Sequence, residues 1–452
     1  MQKIPELAQR LLPRGSFARN ASMLAGGTAL SQALAVLAAP ILTRLYPVAD
    51  FGYFQVYLSL MAFGALAVTL RYEQAIYLPE REEVAAAVFA ASFCTVAGMS
   101  LAFAALVWLV GRHQLLPRSV EGLSPYLWVI PLSVCGAGTY QTLSIWDLRQ
   151  KGYRQVSATK VVQVGSQLST QVGVGLVHAG PLGLLLGDAL GRVAGSFSLA
   201  RFAWQRNRQV FCRLRPAIVL RSALRYRRFP LISAGAALLG VAATALPPLL
   251  LAQFYGAKTL GWFALGDRVL GAPTLLVGQA VSQVYSVEAG ALSSADPAAM
   301  QGLFSRSIKR LVLLGLLPYL MFAMASPALF SFIFGPAWRE AGVYAQLLAM
   351  MHYLAFIVWP LTPTLNILEE QVWQLAWDAG RLGLTLGALW LAYRRGWPAR
   401  GAIAAFGAAM LLGYAAHLLL SRYAIARRVR QSSPRPAARP MVAPEYAELE
   451  KL

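Results

Sequence analysis

Long apolar runs without a single charged residue dominate this sequence. A helix needs roughly 20 apolar residues to cross the hydrocarbon core of a bilayer, and ten runs of about that length or longer occur in the 452-residue chain. They cover residues 21–43, 51–70, 84–110, 122–146, 161–187, 229–257, 269–287, 311–338, 341–368 and 401–421. Membrane barrels instead use short strands of alternating polarity. The pattern therefore predicts an all-α protein that crosses the membrane many times.

Two further apolar segments carry charges in their interiors. They are 181–203, which contains Asp188 and Arg192, and 373–393, which contains Asp378 and Arg381. The turn-forming pair Gly180-Pro181 separates the first of them from the preceding run. Together with the ten uncharged runs, these segments predict about twelve transmembrane helices.

The composition excludes several other classes of protein. The chain is 57% hydrophobic and only 13% charged, which is too apolar for a disordered protein. Its net charge of +21 would suit a soluble nucleic-acid-binding protein, but the surface of such a protein could not be this apolar. Three widely spaced cysteines do not form a disulfide framework. The first apolar run is too long for a signal peptide, so we expect a retained helix.

The lysines and arginines predict how the chain is oriented. With both termini in the cytoplasm, 29 of the 40 basic residues fall in cytoplasmic segments and 8 in the loops on the other side. This bias follows the positive-inside rule. The loop at 201–229 holds nine arginines and no acidic residue. It acts either as an anchor of the topology or as a contact for anionic lipid headgroups, including a lipid diphosphate.

A short internal repeat divides the twelve helices into two sets of six. At an offset of 209 residues, LYPVADFGYF aligns with FYGAKTLGWF and pairs Tyr46 with Tyr255, Gly52 with Gly261 and Phe54 with Phe263. Six helices separate the two copies, and since six is even, both copies point the same way through the membrane. This is typical of a parallel repeat about an axis along the membrane normal.

The repeat predicts a domain organisation. We expect a six-helix lobe at 1–203, a basic cytoplasmic loop at 204–229, a second six-helix lobe at 230–423 and a disordered cytoplasmic tail at 424–452. Two such lobes around a central cavity are the architecture of transporters that work by alternating access. Prolines in the first helix of each lobe would let these helices bend during gating: Pro40, Pro247 and Pro248.

Charged residues within the spans are the candidates for a binding site, because they are costly in a membrane and usually face a cavity or a partner. The arginines Arg192, Arg268 and Arg381 could bind phosphate, which matches the planar fork of a guanidinium group. The acids Asp188, Asp267 and Asp378 lie beside them in sequence. Asp267 and Arg268 are adjacent and point about 100° apart on a helix, so they cannot pair simply. Asp188 and Asp378 either neutralise their arginines as structural ion pairs, or hold them when substrate is absent or take up a proton during the cycle. The sequence leaves both interpretations open.

Signatures of an enzyme are not found in the sequence. There is no G-x-x-x-x-G-K-[ST] phosphate-binding loop, and the four histidines are scattered without metal-ligand spacing. No Ser/His/Asp or Cys/His arrangement can be identified. We therefore expect a transporter with no metal or organic cofactor.

Several sequence blocks resemble a known family. The stretch from Asn20 through GGTALSQ, PILTRLYPVADFGYF and RYEQAIYLP resembles the amino-terminal block of Wzx-type polysaccharide or O-unit flippases, members of the multidrug/oligosaccharidyl-lipid/polysaccharide exporter superfamily. DLRQKGYRQVSATKVVQ, YGAKTLGWFALGDRVLGAPTLLVGQAVSQVYSVEAG and FGPAWREAGVYAQLL are similar to later blocks of that family. The resemblance covers nearly all of 18–423.

The resemblance implies a MATE-like protein of the bacterial inner membrane. Such a protein would flip an undecaprenyl-diphosphate-linked oligosaccharide to the periplasmic leaflet through a cationic cavity, for lipopolysaccharide or exopolysaccharide synthesis. It implies a gradient of H⁺ or Na⁺ as the energy source, and contacts with membrane lipids, a polysaccharide polymerase and glycosyltransferases. Arg44 and Arg71 lie in matching blocks and are candidate substrate-binding residues, and Glu73 is a candidate for ion coupling.

Two other hypotheses stay open. One is a different exporter of the same fold, either a multidrug cation exporter or a flippase for the peptidoglycan precursor. A cation exporter would favour acidic residues in its cavity, and the arginines within the spans argue against it. The other is a scaffold of a polysaccharide assembly complex that transports nothing, in which the charges within the spans would be purely structural.

Overall fold

A computed structural model describes residues 16–432 except 114–116, 178–179 and 213. Within these residues the regular structure is helical, and no strand occurs. The helices are α1 Ser16–Leu45, α2 Val48–Thr69, α3 Glu82–Arg112, α4 Val129–Arg149, α5 Tyr153–Gly175, α6 Leu182–Cys212, α7 Pro216–Arg225, α8 Ala234–Ala295, α9 Pro297–Phe334, α10 Arg339–Val358, α11 Pro363–Ile367, α12 Gln371–Arg394 and α13 Ala399–Ser432.

Helix α8 forms two membrane spans rather than one. Its 62 residues are interrupted at Gly256, where φ is +83°, a conformation that glycine adopts without steric cost. With the two arms of α8 counted separately, twelve long helices cross the membrane in the described chain, which confirms the predicted all-α fold.

Eight helical stretches are long and apolar enough by composition alone to cross a membrane, and one of them contains both arms of α8. The long helices outside this set, α4, α5 and α12, are less apolar. In α12 the apolar run is interrupted by the charged pair Asp378 and Arg381.

Helices α1 to α6 form one lobe, and α8 to α13 form the other. Because each lobe contains six spans, α1 begins and α13 ends at the same end of the bundle. We call this the proximal end and the opposite one, where α1 ends and α2 begins, the distal end. The short helix α7 connects the lobes at the proximal end.

The predicted boundaries of the loop at 204–229 and of the tail at 424–452 need correction. Helix α6 is kinked at Asn207, where φ is −121°, and then continues to Cys212, with Phe211 stacked on Phe89 at a centroid distance of 5.3 Å. Helix α13 continues to Ser432, and within this extension Arg427 pairs with Glu370 at 3.2 Å. The remainder of the tail, residues 1–15 and His178 lie outside the described residues.

The hydrophobic core joins the lobes at one end and separates them at the other. One cluster combines Tyr57 and Phe54 of the first lobe with Leu260 and Phe263 of the second. At the proximal end, each lobe has a core of its own, built around residues such as Trp146 in one lobe and residues such as Phe304 in the other. The space between the lobes therefore opens toward the proximal end.

Candidate functional site

The distal ends of α2 and α8 cross at two glycines that are related by the internal repeat. A methyl group on Gly52 would overlap the carbonyl oxygen of Ala257, and one on Gly261 would overlap that of Val48. These two contacts exchange under the 209-residue offset, since Val48 corresponds to Ala257 and Gly52 to Gly261. The crossing is therefore a pseudo-two-fold contact, as the parallel repeat predicts.

Trp338 of the second lobe contacts the first lobe at the distal end. Its ring is 2% exposed, and its Nε1 donates a hydrogen bond of 3.0 Å to the carbonyl of Thr43 in the last turn of α1. Carbonyls in the last turn of a helix have no partner within the helix. The indole also meets Phe51 edge-on at a centroid distance of 4.9 Å. The distal end is thus closed by the close backbone contacts at Gly52 and Gly261 and by the buried ring of Trp338.

A cavity of about 400 Å³ opens between the lobes toward the proximal end. One wall is formed by α2 and the other by the first arm of α8, mostly through alanine, glycine, valine and leucine. Thr69, Gln141 and Thr244 supply polar groups, and Arg71 is the charged residue of the lining. Arg71 is thus a cation at the mouth of this cavity, and Arg192, Arg268 and Arg381 are not among its lining residues.

An unusual backbone turn places Arg71 at this mouth. Leu70 and Arg71 both have positive φ, 46° and 61°, and such non-glycine conformations persist only where the surroundings enforce them. The Nε of Arg71 has no hydrogen-bond partner among the described residues. Next to it, Glu73 is fully buried and accepts a 2.9 Å hydrogen bond from Gln141. Burial raises the pKa of the Glu73 carboxyl above its ordinary value.

Three arginines lie at similar depth within their helices. Arg192, Arg268 and Arg381 stand ten to twelve residues from the start of α6, the second arm of α8 and α12. At 1.5 Å per residue, this places them about 15–18 Å along helices that cross a core of about 30 Å. All three are therefore near the middle of the membrane.

In the first lobe, Arg192 is tied into a three-residue cluster. Its Nε and Nη2 donate to the two oxygens of Asp188 at 2.7 and 3.1 Å. The hydroxyl of Tyr57 donates to the same carboxylate at 2.7 Å. The side chain of Asp188 is 7% exposed and that of Arg192 is 25% exposed. The structural ion pair that the sequence allows is therefore formed, while one face of the guanidinium stays accessible.

Arg268 stands between the lobes without an ion-pair partner among the described residues. Its side chain has accessible surface in the middle of its helix, yet the protein around the guanidinium group desolvates the charge. The nearby carboxylates that act on its charge are Asp188 of the first lobe and Asp267 beside it in sequence. A mid-membrane arginine with accessible surface and with a carboxylate of the opposite lobe acting on its charge lies beside the space between the lobes.

The second lobe carries its own polar network. Nε2 of His352 and Oδ1 of Asp267 lie 3.1 Å apart, within hydrogen-bond distance. The aspartate is 47% exposed and the histidine is 9% exposed. On α12, Arg381 lies 3.5 Å from Asp378 and stacks over Trp377 at 4.7 Å. Arg381 is thus held by a carboxylate and a ring, whereas the carboxylate of Asp267 stays half exposed.

The remaining predicted site residues lie apart from this centre. Arg44 is exposed at the distal end of α1, remote along its helix from the mid-membrane arginines. Pro40 lies within α1, and Pro247 and Pro248 are buried within the first arm of α8. Both helices continue through their prolines, and the role of these residues in gating stays a prediction.

Comparison with known proteins places the chain in a family. The profile of a polysaccharide biosynthesis protein family matches residues 41–343, about two thirds of the chain. The chain belongs to this family. No curated protein matches its sequence.

Solved structures show which fold this polysaccharide biosynthesis protein adopts. An inward-facing multidrug resistance transporter of the MATE family, in the MOP superfamily, aligns with a TM-score of 0.69 at 14% identity, over 90% of this chain and 100% of the other. The lipid II flippase MurJ in an inward closed conformation aligns with 0.63 at 10% identity, over 90% of each chain. A MOP transporter of Pyrococcus furiosus with reversed pocket polarity aligns with 0.60 at 14%, over 92% and 97%. The fold is therefore MATE-like.

Four residues of this polysaccharide biosynthesis protein were not predicted as parts of the site. Lys160 lies within α5 and donates a 2.6 Å hydrogen bond to Thr28 of α1. Tyr57, Gln141 and His352 complete the sets around Asp188, Glu73 and Asp267. Uncharged or isolated polar residues in apolar runs give no signal until their partners are known.

Proposed function

We propose that this protein flips an undecaprenyl-diphosphate-linked oligosaccharide repeat unit from the cytoplasmic to the periplasmic leaflet. The observation that carries the proposal is the position of Arg268, which is accessible to solvent, lies in the middle of the membrane between the lobes and has no ion-pair partner among the described residues. Membership of a polysaccharide biosynthesis family supports the class of cargo.

Physics explains why such a cargo needs this passage. A diphosphate with a hydrophilic glycan cannot cross hydrocarbon unaided, because a charge at the bilayer centre costs at least several kcal/mol. A hydrated cavity with guanidinium groups removes most of this cost, since arginine binds phosphate oxygens through two parallel hydrogen bonds. The prenyl chain stays in the lipid while the headgroup passes between the lobes.

The cations form a path through the protein. Arg71 stands at the proximal mouth and would meet the diphosphate first, and Arg268 would receive it at mid-depth. Arg192 presents its accessible face nearby in the first lobe, and Arg381 stands at the same depth in the second. Opening of the distal end between α2 and α8 would then release the headgroup on the other side, where Arg44 is exposed.

The orientation follows from charge. The arginine-rich connection between the lobes lies at the proximal end, and basic segments stay on the cytoplasmic side. The proximal end therefore faces the cytoplasm of a bacterial cell, with both termini inside and the bundle in its inner membrane. The described conformation is then open inward and ready to receive a cytoplasmic substrate.

An ion gradient, H⁺ or Na⁺, is the proposed energy source, and no enzymatic step is needed. Asp188, Asp267, Glu73 and Asp378 are the candidate coupling residues. We favour Asp267, because its carboxylate is half exposed and lies 3.1 Å from Nε2 of His352. Glycosyltransferases would act before the flipping step, and a polysaccharide polymerase would act after it.

A flippase for the peptidoglycan precursor is the second candidate, because the fold is shared with the lipid II flippase MurJ. One experiment separates the two. The gene is deleted, and the lipid-linked saccharides of each leaflet are identified by mass spectrometry after labelling with an impermeant reagent. We expect a defined oligosaccharide repeat to accumulate on the cytoplasmic side. Accumulation of lipid II would favour the second candidate, and an unchanged distribution would contradict both.

A further inference from the structure

The helix α7 between the lobes has two different faces. Its ten residues are too few to cross the bilayer, so it lies at the proximal surface. Tyr226 and Phe229, which follow the helix, pack against the core of the first lobe, and Ser222 is buried. The opposite face is apolar but uncovered, because Leu220 and Leu224 are 63% and 59% exposed. Leu231, which follows the helix, is 74% exposed as well.

Arginines border this uncovered leucine stripe. Five of them are exposed in and around the helix and form no ion pair with a described acidic residue: Arg215, Arg221, Arg225, Arg227 and Arg228. Leu220 and Leu224 are one helical turn apart, as are Arg221 and Arg225, so the two stripes run side by side. Helices with adjoining apolar and basic stripes lie in the interface plane of a membrane, where leucines enter the acyl boundary and arginines meet headgroups.

The helix is also connected to the mouth of the central cavity. The hydroxyl of Tyr72 donates a 2.7 Å hydrogen bond to the carbonyl of Ala223 in α7. Tyr72 directly follows Arg71 and precedes Glu73 in the short helix Tyr72–Tyr77. A shift of α7 on the membrane surface would therefore be transmitted to the turn that carries the cation of the cavity mouth.

We propose that α7 is a docking surface for anionic phospholipid headgroups and that, through Tyr72, it adjusts the position of Arg71 at the cavity mouth. The charge of the five arginines is complementary to anionic lipids, and the adjacency of α7 to the ends of α6 and α8 places it at headgroup level. This role does not depend on the identity of the transported cargo.

Hydrogen–deuterium exchange tests the proposal on the purified protein in nanodiscs. One set contains phosphatidylcholine alone, and the other contains one part phosphatidylglycerol to two parts phosphatidylcholine. We expect the amides of 217–231 to exchange about tenfold more slowly in the anionic discs, since several basic residues each gain attraction to the surface. The segment 72–77 should slow as well.

Matched variants separate the lipid contact from bulk charge. Arg221→Gln, Arg225→Gln and Arg228→Gln together should abolish the difference between the two discs. The control, Arg306→Gln, Lys309→Gln and Arg310→Gln on α9, removes the same charge from another exposed basic cluster at the proximal end and should preserve it. Tyr72→Phe should preserve the response of α7 but remove that of 72–77.

Each contrary result overturns a stated part of the proposal. Equal exchange of 217–231 in both discs contradicts the lipid contact, and so does an equal loss of response in the α9 control. Slowing by added inorganic phosphate in phosphatidylcholine discs would assign the surface to soluble anions instead. A lipid response of 72–77 that survives Tyr72→Phe contradicts the coupling to the cavity mouth.

Discussion

Gly52 of α2 and Gly261 of α8 occupy equivalent places in the two lobes, and each lies against the backbone of the other lobe. Gly52 contacts the carbonyl of Ala257, and Gly261 contacts that of Val48. Because both contacts lie at the distal end, where the lobes share a core, they hold that end shut while the proximal end stays open.

Substituting either glycine should open the distal end. Gly52→Ala places a methyl group on the carbonyl of Ala257, and such overpacking costs about 1–3 kcal/mol. The buried Thr259, changed to cysteine after replacement of the native cysteines, should then react about tenfold faster with an impermeant maleimide. Gly261→Ala should act in the same way.

Gly98→Ala serves as the control for these substitutions. Gly98 lies on α3 with no atom within 4 Å of the added methyl group, so it should leave the labelling rate of Thr259→Cys unchanged. Equal rates in the Gly52→Ala and Gly98→Ala backgrounds would show that the close crossing does not hold the distal end shut.

The hydrogen bond of Trp338 should stabilise the folded protein, although this residue lies apart from the mid-membrane arginines. Trp338→Phe keeps most of the ring contact with Phe51 but leaves the carbonyl of Thr43 without its donor, which costs about 1–3 kcal/mol for a buried group. Thermal unfolding in detergent should show a lower Tm. Trp390→Phe, at a residue 53% exposed, should have little effect, and equal shifts for both would contradict the anchor role.

The ion pair of Arg192 and Asp188 allows stability and transport to be separated. Arg192→Ala leaves a buried carboxylate held only by Tyr57, and breaking such a pair costs about 3–5 kcal/mol. The double change Asp188→Asn with Arg192→Gln should restore the Tm. We expect transport, measured from exported polysaccharide, to stay impaired. Full export by the double variant would show that the pair has only a structural role and no role in transport.

Glu73 should give the protein a distinctive pH dependence. Because burial raises the pKa of this carboxyl, the folded state favours the neutral form. The stability that it contributes at low pH is lost as pH rises from the ordinary carboxyl pKa through the raised one. Glu73→Gln keeps an acceptor for Gln141 and removes the titration. The difference in Tm between variant and wild type should therefore grow with pH, and parallel Tm curves would contradict the prediction.

Sequence patterns predicted the fold because bilayer physics acts on long segments. Uncharged runs of about 20 residues leave few alternatives to a helix, and the match of Gly52 to Gly261 correctly indicated a parallel repeat. The ends of helices were harder to predict. Phe211 and Arg427 extend α6 and α13 beyond the membrane through contacts with residues distant in sequence, and no local pattern reports such contacts.

Contacts between charged residues within one helix could be predicted from the sequence, but contacts between helices could not. Asp188 and Arg192 could be paired from their i, i+4 spacing, since they share one helix face. His352 and Asp267 are 85 residues apart, so their contact depends on how the helices pack. The solvent exposure of Arg268 depends on the separation of the lobes, which charge patterns do not encode.

The role of Arg268 offers the sharpest test of the proposed transport. Cells that lack the gene are complemented with wild type or with Arg268→Gln at matched membrane levels, and lipid-linked oligosaccharides are quantified in each leaflet. Since Arg268 has no ion-pair partner among the described residues, the substitution should leave the Tm unchanged. We predict cytoplasmic accumulation close to that of the deletion strain. Wild-type distribution between the leaflets in the Arg268→Gln strain would contradict the cationic passage.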